Sequence, residues 1–245
     1  MRNKFTVGIF SLSSCEGCLV QLINLDDRLL KLLEHIEIVD CRILGVKKDY
    51  DKMNIAIVEG SVTSLEEREK LEKIREKADI LVALGDCACS GGKFLVKDFD
   101  ISEARIKLPG SREVFRSDPL DKYVKVDFYL WGCPVNKDEL FSLLRNILLL
   151  KHVKERAISV CAECVLRENN CLIELGYPCL GPITRGGCNA LCPSNNKVCF
   201  GCRGLAEDAN IDSLIEIFEQ HKIEVPEYLR KLKALMEAKK SDKRD

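Results

Sequence analysis

Residues 161–202 read CAECVLRENNCLIELGYPCLGPITRGGCNALCPSNNKVCFGC, with eight cysteines and no histidine. The spacing is Cys161-x2-Cys164-x6-Cys171-x7-Cys179-x8-Cys188-x3-Cys192-x6-Cys199-x2-Cys202. Pro178, Pro182, Pro193 and six glycines from Gly176 to Gly204 punctuate it, so regular secondary structure is expected to be sparse. Such a segment builds little hydrophobic core alone, and metal bonds are expected to hold it. Eight thiolates make two four-ligand sites.

The chain has 14 cysteines in 245 residues. No stretch approaches the roughly 20 apolar residues of a membrane span. The short run Phe5–Phe10 near the start reads as a strand rather than a secretory leader. A cytoplasmic location is therefore expected, where thiols stay reduced and clusters of cysteine point to metal. Charged residues are nearly balanced at a net charge of −1, which gives no electrostatic pull toward nucleic acid or membrane. The histidines, His35, His152 and His221, all lie outside the cysteine clusters. Thiolate-only ligation suits iron–sulfur clusters, with structural zinc held by four cysteines as the competitor. Cys192-Pro193 and Cys133-Pro134 match the Cys-Pro ending of ferredoxin-type ligand runs, although the full ferredoxin spacing is absent.

The first 150 residues read differently. Apolar strands are expected at 5–10, within 36–44, and at 54–60, 80–85 and 126–132. Helices are expected at 17–34, 64–78 and 137–150. This alternation predicts an α/β fold, a flavodoxin-like, doubly wound and largely parallel sheet. A small, irregular cysteine-rich domain and C-terminal helices follow, around 211–218 and 228–236, with a solvated tail. The expected boundaries are 1–155 and 156–245. Ligands of such sheets sit beyond the carboxyl ends of the strands. Cys15 and Cys18 follow strand one there, Cys87 and Cys89 follow strand four, and Cys133 follows strand five. One Cys-x2-Cys loop plus two single cysteines completes another four-thiolate site, so either Cys87 or Cys89 is spare. Cys41, inside a strand, reads as a buried small hydrophobe.

SSCEGCLVQL, VEGSV, GDCACSGG, WGCPV, CLIELGYPCLGPIT and CFGC, in that order, resemble the small, electron-transferring subunit of nickel–iron hydrogenases. The likeness covers residues 5 to about 205. It is nearest to the cytoplasmic multi-subunit branch, in particular the delta subunits of archaeal sulfhydrogenases. The resemblance implies three 4Fe-4S clusters and selects Cys87 over Cys89. Cys15, Cys18, Cys87 and Cys133 would hold the proximal cluster, and Cys161, Cys164, Cys171 and Cys179 the distal one. Cys188, Cys192, Cys199 and Cys202 would hold the middle one. Cys161 stands where the periplasmic branch has a histidine, and Cys192 is a fourth cysteine where that branch has three. A twin-arginine leader and a C-terminal membrane helix, both found in that branch, are not expected here.

The partners implied are a large nickel–iron subunit, which splits hydrogen, and flavin- and iron–sulfur-containing electron-transfer subunits in a heterotetramer. The acceptor implied is NADP(H) or polysulfide; a coenzyme F420-reducing or heterodisulfide-reductase-linked hydrogenase is the alternative. Glu59 would lie near the proximal cluster or cap the next helix.

Overall fold

The computed structural model describes residues 4–92, 117–151, 158–227 and 229–230. Its chain divides into two compact units, Met1–Leu95 with Asp100–Lys154, and Val96–Phe99 with Glu155–Asp245.

In the first unit, β-branched and aliphatic runs form β1 (Phe5–Ser11), β2 (Ile36–Cys41), β3 (Val46–Lys47), β4 (Met53–Glu59), β5 (Ala78–Leu84) and β6 (Phe128–Leu130). The sheet order is β3-β2-β1-β4-β5-β6. All pairings are parallel except β2 with β3, which is antiparallel. Without the two-residue edge strand β3, the five parallel strands take the flavodoxin order, in which the direction of winding reverses between β1 and β4. Side chains alternate across the sheet. Val7, Ile9, Ile55, Ile57, Val82 and Leu84 join one buried cluster, and Phe10, Ala56, Val58, Leu81 and Ala83 the other. Helices α1 (Gly17–Ile23), α2 (Asp27–Leu33) and α5 (Lys137–Leu148) contribute to the first cluster. Helices α3 (Leu65–Lys77) and α4 (Gly85–Ser90) contribute to the second. Helices on both faces are what continuous apolar strands require.

Three local features depart from the sequence reading. The helix expected at 17–34 is two helices, because Asp26 adopts φ 53° between them. Asn24 and Asp26 are residue types whose side chains compete with the helical backbone for hydrogen bonds. Within GDCACSGG, Gly85–Ser90 form a short helix, α4, where none was expected. Strand β3 was not expected.

The second unit holds α6 (Val160–Leu166), α7 (Ile211–Gln220), and 3-10 turns at Gly181–Ile183 and Pro193–Asn195. The cysteine run shares a hydrophobic core with residues beyond it. Val160, Leu172, Ile173, Leu180 and Ile183 pack with Leu214, Phe218 and Leu229, and the buried thiols of Cys179 and Cys199 belong to the same cluster. The apolar face of α7 lies outside the cysteine run and completes the core. Burying side chains such as Leu214 and Phe218 contributes about 1.5–3 kcal/mol each. The second helix expected at 228–236 and the tail lie outside the described residues, apart from residues 229–230.

Candidate functional site

The register of the sheet sets the first site. Ser11 pairs with Glu59, Glu59 with Leu84, and Leu84 with Leu130, so four strand ends form one row. The chain leaves that row toward Cys15 and Cys18, Gly60 and Ser61, Cys87, and Cys133. Burial pushes the Cys18 thiol far above its ordinary range, with the Glu59 carboxylate and then Cys133 and Cys87 adding to it. Burial likewise pushes Cys87 up to about 11, followed by Asp86, Cys133 and Cys15. These mutual influences gather Cys15, Cys18, Cys87 and Cys133 into one neighbourhood at the reversal point of the sheet, where an α/β sheet opens a crevice.

Neighbouring groups fix this arrangement. Glu59 is buried, and its two carboxylate oxygens accept from the backbone N–H of Cys18 (3.2 Å) and Leu19 (2.9 Å). It thus caps the helix that bears Cys18, α1, and not α3, the next helix in sequence. Ser13 donates to Glu67 (3.0 Å) and shares a hydrogen bond with Thr63 (2.8 Å), which ties the Cys15 loop to the start of α3. Gly85 has φ +86°, and a β-carbon there would stand 2.5 Å from Cys18 Sγ. A β-carbon at Gly92 would stand 3.3 Å from Cys87 Sγ.

Cys89 and Cys41 face elsewhere. Cys89 is buried, and its Sγ donates toward the carbonyls of Ala83 (3.5 Å) and Leu130 (3.7 Å). Cys41 is 3% exposed in the first core. Cys89→Ala and Cys41→Ala should leave the metal content of the purified protein unchanged and cost about 1 kcal/mol each in packing. Metal loss in either variant would place that cysteine among the ligands.

In the second unit, burial raises Cys161 to about 12, with Cys179, Cys164 and Cys171 adding in that order. Those four thiols therefore share one neighbourhood. Asn169 Nδ2 donates to Cys164 Sγ at 3.6 Å, and the backbone N–H of Cys199 donates to Cys179 Sγ at 3.3 Å. A β-carbon at Gly181 would lie 3.1 Å from Cys161 Sγ and 3.6 Å from Cys179 Sγ. Cys199 is raised to about 12 by burial, with Cys179 and Cys202 among its neighbours. Cys188 and Cys192 are half-buried and flank a loop in which Asn189 and Ala190 have φ 56° and 50°.

The sequence reading missed two buried charged residues here. Glu163, inside Cys161-x2-Cys164, accepts from the N–H groups of Gly187 (2.7 Å) and Ala190 (3.2 Å). Arg203, next to Cys202, donates from Nε to the Gly186 carbonyl at 2.8 Å. The available signal was an acidic residue inside the otherwise apolar helix VCAECVL.

Among the described residues, no three His, Cys, Asp or Glu side chains are drawn together tightly enough for one metal ion. The donor set fits iron–sulfur clusters. The candidate ligands are all thiols, glycines clear space beside the sulfurs of Cys18, Cys87, Cys161 and Cys179, and N–H groups point at the sulfurs of Cys164 and Cys179. Protonated buried thiols must release protons as metal binds.

The sequence profile of the NADH ubiquinone oxidoreductase 20 kDa subunit family matches residues 15–147, and so stops before the cysteine-rich run. Sulfhydrogenase 2 subunit delta of Pyrococcus furiosus is 37% identical over 218 residues, covering 87% of this chain and 92% of that protein. A vhu subunit of the F420-non-reducing hydrogenase of Methanocaldococcus jannaschii is 30% identical, covering 90% of this chain and 91% of that protein. Among solved structures, a chain of an NAD+-reducing nickel–iron hydrogenase superposes with a TM-score of 0.51 at 30% identity, over 61% of this chain and 94% of that one.

Proposed function

Because the chain belongs to the family of nickel–iron hydrogenase small subunits, we propose that it conducts electrons through three 4Fe-4S clusters between a large subunit and a further redox partner. The observation that carries this reading is the joint placement of two thiol neighbourhoods: one on the aligned ends of β1, β5 and β6, the other around α6.

When bound, the clusters supply one-electron redox chemistry; the chain's own residues hold and tune them. Cys15, Cys18, Cys87 and Cys133 hold the proximal cluster. Cys161, Cys164, Cys171 and Cys179 hold the distal one, and Cys188, Cys192, Cys199 and Cys202 the middle one. Glu59 fixes the helix start from which Cys18 projects. Asn169 and the Cys199 N–H donate to ligand sulfurs, a contact that stabilises the reduced, more negative state. The apolar core around Cys179 and Cys199 excludes water from one side.

Hydrogenase small subunits pair with a large nickel–iron subunit. Cys15 and Cys133 are exposed on the strand-end edge of this chain, and we assign that edge to the large subunit. Among the described residues no helix is long and apolar enough to cross a membrane. We place the subunit in a cytoplasmic complex with flavin- and iron–sulfur-containing subunits, with NADP(H) or polysulfide as acceptor; the likeness to a sulfhydrogenase subunit supports this reading. The likeness to F420-non-reducing hydrogenase subunits favours, as second reading, electron delivery to a heterodisulfide-reductase-type partner.

Metal analysis of the anaerobically purified complex should find about twelve iron atoms in this subunit, from three four-iron clusters. Four or fewer irons with stoichiometric zinc would establish a structural zinc–thiolate protein instead.

A further inference from the structure

The two Cys-x2-Cys motifs of the second unit each carry one buried charged residue, and both residues reach the same short stretch of backbone. Glu163 lies between Cys161 and Cys164 on α6. Its Oε1 accepts from Gly187 N at 2.7 Å and its Oε2 from Ala190 N at 3.2 Å. Arg203 immediately follows Cys202, and its Nε donates to Gly186 O at 2.8 Å. Gly186 is packed against the Glu163 carboxyl so closely that a β-carbon there would stand 3.3 Å from its Cδ. Residues 186–190 lead into and out of Cys188 and run on to Cys192.

This stretch carries backbone strain. Asn189 and Ala190 are consecutive non-glycine residues at φ 56° and 50°, and Gly187 stands at φ 117°. Left-handed backbone at residues bearing a β-carbon is disfavoured and persists only where the surroundings over-determine it. Ala190 is fully buried, so water does not satisfy its N–H; the Glu163 carboxylate does. A buried N–H left without that acceptor would carry its whole desolvation cost.

We infer that Glu163 is the positioning residue of the Cys188–Cys192 loop. It clamps the strained turn to α6, so that the four-thiol site of Cys188, Cys192, Cys199 and Cys202 forms only on a loop held by the neighbouring site's helix. Arg203 holds the same turn from the other Cys-x2-Cys motif. The two sites of this unit are therefore assembled as one piece. The inference rests on the iron–sulfur reading of these cysteines, and iron in the wild-type complex beyond that of its other subunits tests that reading separately.

The test compares wild type, Glu163→Ala, Glu163→Gln and the double variant Glu163→Ala/Asn189→Gly in the anaerobically purified complex, by iron content and electron paramagnetic resonance. Glu163→Ala should lose one to about four of this subunit's roughly twelve irons. The spectral change should be confined to the cluster of Cys188, Cys192, Cys199 and Cys202. Glu163→Gln keeps one acceptor oxygen and should retain more iron. Asn189 is exposed, and glycine there removes backbone strain without loss of packing, so the double variant should regain part of the lost iron. A residue that served only general folding would show neither the selective spectral change nor the rescue. If Glu163→Ala yields no folded complex, Glu163→Gln reads the same point, since the loss must still be confined to that cluster. Unchanged iron and spectra in Glu163→Ala, or in Glu163→Gln where that variant stands in for it, would overturn the inference, as would loss shared equally by all clusters. A wild-type complex whose iron is fully accounted for by its other subunits would instead remove the reading beneath it.

Discussion

Gly85→Ala should strip the proximal site of its cluster while the rest of the chain stays folded. Gly85 is the first residue past the aligned strand ends, with φ +86°, and its β-carbon would meet Cys18 Sγ at 2.5 Å. The left-handed backbone alone costs about 1–2 kcal/mol for a residue with a β-carbon. Forcing atoms into packed space adds roughly 1–3 kcal/mol. Cys18 is a poor candidate to yield. It is buried, and its own N–H is held by Glu59 at 3.2 Å. Gly45→Ala supplies the control, because Gly45 has φ +64° with nothing within 4 Å of the added carbon. That variant carries the backbone strain without touching a thiol, and should keep all its iron. The Gly85→Ala complex should lose about four of about twelve irons and all hydrogen-dependent dye reduction. Full iron content in Gly85→Ala would show that Cys18 is not a ligand, or that its loop moves more freely than its hydrogen bonds imply.

The parts of this molecule that were legible in the sequence are those fixed by long, continuous signals. Residues 55–58 of β4 and 80–84 of β5 are unbroken apolar runs, which suit a sheet covered on both faces, and the aligned ends of β1, β5 and β6 bring the cysteines that follow them to a single edge, as the carboxyl-end rule requires. What stayed hidden depends on distant partners. GDCACSGG has poor helix propensity, yet six of its residues form α4, with Ala88 and Cys89 buried against the sheet. The core of the cysteine-rich unit was missed because Leu214 and Phe218 lie beyond the last cysteine. Glu163 drew no reading from the sequence; only the fold shows its carboxylate meeting backbone donors some 25 residues away.

On the proposed ligand assignment, Cys192 would decide what kind of cluster its neighbours hold. Cys188, Cys199 and Cys202 suffice for a three-iron cluster, whereas a fourth thiolate fills the remaining iron corner. The competing view makes Cys192 a thiol that merely stabilises the turn next to Pro193. The structure gives the turn another support. The carbonyl of Cys192 accepts from the N–H groups of Asn195 and Lys197, each at 3.0 Å, so main-chain hydrogen bonds close the turn. Cys192→Ser should therefore leave the turn intact and change only the donor atom. The oxidised variant complex should show a new three-iron paramagnetic signal and lose about one iron, with the other two clusters unchanged. Cluster type is among the levers that set potential, and a four-iron site generally lies below a three-iron one. The same substitution should therefore raise the potential of this cluster and slow electron delivery to a low-potential nicotinamide more than to a high-potential dye. An unaltered spectrum with unaltered iron would remove Cys192 from the ligand set and leave the middle site with three thiolates.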